Sequence, residues 1–495
     1  MFEIAELDQS LTKAEYNKQV PILRTQLLQI QRELGNCDFP VFILISGVDG
    51  GGKGQVINLL NEWMDPRFMR TNAYDKPSDE EQERPRMWRF WRTMPEKGTI
   101  GIYVGSWYST PISKRVYKKT DDAELKVELA QIKQLEQELI DSGALIIKCW
   151  LHLKKQIQKK RFKELEKNPG TRWQVTKRDK KHLKMYGDFI KVAETVLTTT
   201  STGHSPWLIV DGSDIHHSSL TVGQHVLQQI TRHIEQRRID QTENADSNIS
   251  TLVDTGQLSL VDSLDLTLKR DKKTYNEKLA HYKGKLNKLA RESHQRRISS
   301  ILVFEGWDAA GKGGSIRRLT GAMDARNYQV IRIAAPTDEE RLHHYLWRFW
   351  RHLPRAGKVT IYDRSWYGRV LVERVEGYAR KTEWMHAYSE IVNFEEALTA
   401  HDILLIKFWL HIDEDEQLKR FKEREKITYK QHKITEEDYR NREKWQAYEL
   451  AVNEMVSRTS TQSAPWILVE GNDKRYARIK VLKSYCDKLE EILDD

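Results

Sequence analysis

The pentapeptide Trp-Arg-Phe-Trp-Arg occurs twice in this chain, at Trp88 to Arg92 and at Trp347 to Arg351, 259 residues apart. The same offset joins Tyr16-Asn17 to Tyr275-Asn276, Gly52-Lys53 to Gly311-Lys312, Trp150-Leu151-His152 to Trp409-Leu410-His411, Arg161-Phe162 to Arg420-Phe421 and Pro206-Trp207 to Pro465-Trp466. A register that holds this long marks an internal duplication, so the chain must fold as one kind of unit used twice. Its 495 residues leave room for two such units. The first copy takes residues 1–238, the polar and aperiodic stretch 239–270 reads as the connection, and the second copy takes 271–495.

Within each copy short apolar runs alternate with longer charged segments of helical period, the pattern of helices on both faces of a parallel sheet. The fold class is α/β. Strands are expected at Val41 to Ile45, Ile100 to Tyr103, Leu145 to Trp150 and Trp207 to Val210, and again at Ile298 to Phe304, Val359 to Tyr362, Ile403 to Trp409 and Trp466 to Val469. A helix around Lys272 to Leu289 leads into the second set.

Lysine and arginine outnumber aspartate and glutamate 81 to 72, a formal charge of +9 that suits a polyanionic partner. No run of 18 apolar residues is present, which argues against a membrane span. The N-terminus lacks a basic stretch ahead of an apolar one, and three cysteines without metal-ligand spacing fit a reducing cytoplasm.

After the first strand of each copy stands a glycine-rich turn, Gly47-Val-Asp-Gly-Gly-Gly52-Lys53-Gly54 and Gly306-Trp-Asp-Ala-Ala-Gly311-Lys312-Gly313. Both satisfy the G-x-x-x-x-G-K core of a Walker A phosphate loop, in which amides converge on phosphate oxygens and the lysine reaches a terminal phosphate. Two matches in the same strand-to-helix context outweigh an ordinary turn with a surface lysine. The Ser or Thr that would hold magnesium is replaced by Gly54 and Gly313, and an aspartate, Asp49 or Asp308, stands third in the loop. A carboxylate there repels phosphate unless a divalent cation or the loop lysine intervenes, so Asp308 reads as a metal ligand or as a partner of Lys312, and Mg2+ is implied.

The strand ending Ile361-Tyr362-Asp363 supplies the place for a second metal-binding carboxylate, against the alternative that Asp363 caps a helix. The first copy has Val104 and Gly105 where the second has Asp363 and Arg364, so the second copy is expected to be the catalyst. Residues 341–381 hold ten basic and three acidic residues, more positive charge than a mononucleotide needs. Arg420 and Arg424 could add to that field or pair with Glu423 and Glu425. Most of the 15 tryptophans read as core, with Trp366 and Tyr367 the candidates for contacts near the site.

Gly-Trp-Asp-Ala-Ala-Gly-Lys-Gly, Trp-Arg-Phe-Trp-Arg and Tyr-Asp-Arg-Ser-Trp-Tyr-Gly-Arg-Val-Leu-Val-Glu-Arg together resemble polyphosphate kinase family 2, and the duplicated layout is similar to its two-domain class. The resemblance covers nearly all of both copies and is strongest over residues 298–424. It implies a thymidylate-kinase-like phosphate-loop fold with a helical lid, dependence on Mg2+, and inorganic polyphosphate as phosphoryl donor to AMP. Carried over by position, Gly306, Asp308, Gly311, Lys312 and Gly313 match the loop, Asp363 and Arg364 the second motif, and Arg369 and Arg374 the lid. An ATP-dependent nucleotide kinase and a non-catalytic polyphosphate-binding protein are the rival readings, while RNA-binding signatures are absent. For the first copy, two roles stay open: completing a dimer-like interface, or binding polyphosphate through Arg84, Arg86, Arg89 and Arg92. Base preference, chain length and a possible homo-oligomer are likewise left open.

Overall fold

The computed structural model describes residues 1–7, 9–243, 260–261, 263–426 and 436–494. The first copy forms strands β1 (Val41–Gly47), β2 (Met69–Ala73), β3 (Ile100–Val104), β4 (Leu145–His152) and β5 (Trp207–Asp211). The second repeats them as β6 (Ser299–Gly306), β7 (Tyr328–Arg332), β8 (Val359–Asp363), β9 (Ile403–His411) and β10 (Trp466–Glu470). Both sheets are wholly parallel, ordered β2-β3-β1-β4-β5 and β7-β8-β6-β9-β10.

The eight strands expected from apolar runs are present, and the structure adds β2 and β7. These edge strands read Met-Arg-Thr-Asn-Ala and Tyr-Gln-Val-Ile-Arg and are largely exposed, so no continuous apolar run betrays them. The central strands are legible because both of their faces are covered: β1 and β4 are buried almost end to end. In the first copy the helices Lys13–Leu34 and Ile215–Glu243 place Leu27, Ile30, Val226 and Ile230 against Ile43 and Ile45 of β1. The latter helix runs five residues past the expected end of the copy at 238, because Ile234 still packs in this core and the helical turn carries on beyond it. Residues 244–259 of the expected connection lie outside the described residues.

The described residues fall into two compact units: 1–77, 89–243 and 341–344 in one, 78–88, 260–340 and 345–494 in the other. Each therefore takes in a short piece of the opposite repeat. In the second unit, Glu83 accepts from Arg297 at 2.6 Å and from Arg355 at 2.7 Å, and Trp88 Nε1 donates to the Trp350 carbonyl at 2.9 Å. No described helix is long and apolar enough to cross a membrane.

A buried ion pair recurs in both units. Lys407 Nζ donates to Glu395 at 2.6 Å and to the Thr459 carbonyl at 2.7 Å, while Trp366 Nε1 and Tyr367 Oη donate to the other oxygen of Glu395. Lys148, Glu136, Thr200, Trp107 and Tyr108 repeat the arrangement. Every polar atom of the set has a partner, the condition under which a charge is tolerated inside a sheet. In each repeat the first strand lies between two neighbours reached in opposite directions along the sheet, so the crevice at the carboxyl ends of β6 and β8 is where a ligand would sit.

Glu395→Gln, which leaves Lys407 charged and alone, should cost about 3–5 kcal/mol in urea unfolding, and Lys407→Met with Glu395→Leu clearly less; equal losses would show the two charges to be uncoupled. Arg355 and Arg297 hold the Glu83 carboxyl down at about 2. A carboxyl lowered in the folded state stabilises above its unfolded value near 4.5 and loses that contribution as pH falls through the folded value. Both arginines are more than half exposed, so Glu83→Gln should cost about 1 kcal/mol at pH 7, with the difference from wild type closing as the pH drops from 4.5 toward 2.

Candidate functional site

The turn after β6 is held in shape by backbone that only glycine can supply at its first position. Gly306 has φ 144°, and a Cβ there would lie 2.3 Å from the Leu410 carbonyl oxygen of β9. Gly311, at φ 116°, begins the helix Lys312–Thr320. Among the described residues the amides of Asp308, Ala309, Gly311, Lys312 and Gly313 donate to no protein acceptor. Five free N–H groups at a helix start form an anion cradle. Gly313 faces open space, so the missing Ser or Thr is not a steric demand.

Lys312 folds over this turn, its Nζ donating to the carbonyls of Gly306 at 2.6 Å and Trp307 at 3.2 Å. Asp363 ends β8 in register with Phe304 of β6 and is one of the charges acting on Lys312. It caps no helix; Ser365 caps the turn Trp366–Arg369 instead. Among the described residues its carboxylate accepts no hydrogen bond. Asp308 accepts from Arg364 Nη2 at 2.8 Å and from Asn441 Nδ2 at 3.2 Å. Burial raises the Asp308 carboxyl, but Lys312, Arg364 and the Asn441 bond overcome that and hold it below its ordinary range. Burial likewise pulls Lys312 down, against the attraction of Asp308. Arg364 itself sits at φ 64°, a left-handed conformation that costs a side-chain-bearing residue about 1–2 kcal/mol.

The structure thus brings Asp308, Lys312, Asp363 and Arg364 together with Gly306, Gly311 and Gly313, and treats the other candidates differently. Arg369 pairs with Glu373 at 3.0 Å and lies over the Tyr345 ring. Arg374 donates to Glu454 at 2.6 Å and Tyr388 Oη at 2.8 Å and stacks on Trp384, tying the helices that follow β8 to the helix Trp445–Thr459 beyond β9. Arg420 is 2% exposed, and its guanidinium donates to the carbonyls of Ala309, Ala310, Gly471 and Asn472 and to Glu416, neither Glu423 nor Glu425. It braces the turn from behind. Arg424 is half-buried on the helix Glu414–Glu425. Trp366 and Tyr367 are core residues bound to Glu395.

Three features escaped the sequence reading. Glu305, one residue before Gly306, is a buried carboxylate that accepts from Ser365 Oγ at 2.8 Å; burial raises it, opposed chiefly by Lys312. Trp307 stacks on Trp445 with ring centroids 3.7 Å apart, and Asn441 of the helix Glu436–Glu443 reaches Asp308, so two helices beyond β9 close onto the turn. The 259-residue offset carried the signal for Glu305, because the first copy has Ser46 there.

The first copy keeps the turn and changes its chemistry. Lys53 Nζ donates to the carbonyls of Gly47 and Val48 at 2.9 and 2.8 Å, as Lys312 does to their counterparts. Asp49, however, is bound by His182 Nδ1, and Gly105 holds at φ 69° the backbone that Arg364 holds under strain. A Cβ on Gly105 would lie 2.4 Å from the Tyr74 carbonyl oxygen.

The family model of Polyphosphate kinase 2 matches residues 10–238 and 269–494. The polyphosphate:AMP phosphotransferase of Pseudomonas aeruginosa is 48% identical over 492 residues, 99% of each chain. That of Acinetobacter johnsonii is 35% identical over 455 residues, 90% of each chain. A crystal structure from Pseudomonas aeruginosa, described as a polyphosphate kinase 2, superposes with a TM-score of 0.89 at 46% identity over all of both chains. The chain belongs to the polyphosphate kinase 2 family.

Proposed function

We propose that this chain transfers the terminal phosphoryl group of inorganic polyphosphate to AMP, giving ADP, and that the second repeat is the catalyst. The relatives that match along the full length carry that activity in their names. The observation that carries the assignment to one repeat is the convergence of Asp308, Lys312, Asp363 and Arg364 on the amide cradle, where the first repeat offers Asp49, Lys53, Val104 and Gly105.

In the reaction an oxygen of the AMP phosphate bonds to the terminal phosphorus of the donor, and the bridging P–O bond breaks with its electron pair going to the shortened chain. The work of the protein is placement and charge neutralisation. The amides of Asp308, Ala309, Gly311, Lys312 and Gly313 hold the oxygens of the transferring group, Lys312 moves from its carbonyl partners to phosphate, and Arg364 lies within reach of the same charge. Arg369 and Arg374 position the segments that follow β8, and Arg420 fixes the turn itself.

The donor set fits a divalent cation. Among the described residues Asp363 presents a carboxylate without a protein partner, and Mg2+ is commonly bound through one or two carboxylates together with substrate phosphates. Asp308 and Asp363 would hold it, and it supplies neutralisation of charge on the phosphate oxygens. The three free cysteines suit a reducing cytoplasm, where AMP is at hand.

Purified protein given AMP, a magnesium salt and either polyphosphate or ATP should form ADP at the expense of polyphosphate; turnover with ATP alone would establish the nucleotide-kinase reading instead. Asp363→Asn and Lys312→Ala should lower kcat by about 10²–10³, and Lys53→Ala by far less; comparable losses from the two lysines would defeat the single-catalyst assignment. Installing Asp at 104 and Arg at 105 should not create a second active site in a Lys312→Ala background, since the new Cβ meets the Tyr74 carbonyl at 2.4 Å.

A further inference from the structure

We propose that the first repeat is a polyphosphate-holding site, in which lysine stripes on the helices Lys155–Lys167 and Lys177–Lys184 and the amides of the turn Gly47–Gly54 bind a stretch of chain without reacting with it. This rests on polyphosphate being the donor. The segment 154–184 holds 13 basic and 3 acidic residues, net +10, whereas its counterpart 413–443 holds 9 and 10, net −1. Lys155, Lys159, Lys163 and Lys167 are all exposed and four residues apart, so they stand in one row roughly 18 Å long. Lys177 and Lys181 are exposed on the second helix in the same spacing. Like charges at that spacing repel by a few tenths of a kcal/mol per pair, a cost that an anionic ligand would remove.

The same helices are fastened to the turn. Gln158 donates to the Asp49 carbonyl at 2.8 Å, Arg161 to the Gly50 carbonyl, and His182 engages the Asp49 carboxylate. The basic rows therefore flank a cradle whose amides at Asp49, Gly50, Gly52, Lys53 and Gly54 have no protein acceptor among the described residues. Two of the carboxylates that act on Lys312 in the second repeat, Glu305 and Asp363, are absent here, replaced by Ser46 and Val104. Ser106 Oγ, 1% exposed, is left without a partner, where its counterpart Ser365 donates to Glu305. A cradle with fewer acids takes phosphate without a divalent cation to screen it. Nucleic acid is the lesser fit, because between residues 154 and 184 Trp173 is the one large aromatic side chain exposed, and single strands need several rings to stack on.

In the full-length protein, replacing Lys155, Lys159, Lys163 and Lys167 by Gln should raise KM for long-chain polyphosphate about tenfold or more, with KM for tripolyphosphate and kcat within twofold of wild type. An unchanged KM for the long chain, or an equal rise for both donors, would overturn the proposal. Binding of labelled long-chain polyphosphate in a Lys312→Ala background, without magnesium, should fall by a similar factor. That arm needs no turnover, so wild-type protein that makes no ADP from either donor would count against the function and leave the holding site to be judged on binding. A single-stranded oligonucleotide displacing the label as well as polyphosphate of equal charge would also overturn the proposal, since it would show a general nucleic-acid surface.

Discussion

Glu305, Asp308 and Asp363 act on one lysine, and the balance among them shapes the second repeat. Three carboxylates beside a phosphate cradle is an arrangement that repels its own ligand. Each is managed in a different way. Glu305 is sunk behind the turn, raised by burial and bonded to Ser365. Asp308 is held ionised by Lys312 and Arg364. Of the three, Asp363 alone accepts no hydrogen bond on its carboxylate among the described residues.

The backbone needed for this balance is present in both repeats, and only one repeat bears its strain. Ala309 and Arg364 hold φ 64° where Gly50 and Gly105 relax at 73° and 69°. Lys118, Arg297 and Asp402 also hold positive φ, but at Ala309 and Arg364 the strained backbone lies at the site, where the other copy has glycine. The turn needs a left-handed residue at these points in either copy; the second uses one of them to aim a guanidinium at Asp308.

Much of this was legible in the sequence because it rests on short-range rules. A strand buried on both faces reads as an apolar run, and a phosphate loop has glycines at fixed spacing. The offset between Trp88 and Trp347 then relates the four strands read in the first copy to four in the second. What stayed hidden depends on neighbours the chain reaches by folding. β2 and β7 are edge strands with solvent on one side, so their polar residues carry no strand period. The arginines between 341 and 381 looked like one field, but Glu339, Glu340, Glu373 and Glu454 answer four of them, and three of those acids lie outside the segment. Arg420 illustrates the same limit. A guanidinium near a phosphate loop can face the phosphate or the loop, and only the positions of the Ala309, Ala310 and Gly471 carbonyls decide it.

Duplication explains how the two copies could diverge without loss of fold. The buried Lys-Glu pair, the arginine behind the turn and the lysine over it recur in each with nearly the same distances. Those contacts are internal to one unit, so they constrain both copies equally. Glu305 is buried and Arg161 and Arg420 brace the turn, but the exposed charges on the described helices after the fourth strand lie outside the core. They are free to change sign, and in the first copy they have become a basic face around a cradle with fewer acids. That site lacks the second carboxylate of the other copy and keeps a lysine over the turn and five amides that find no protein acceptor among the described residues.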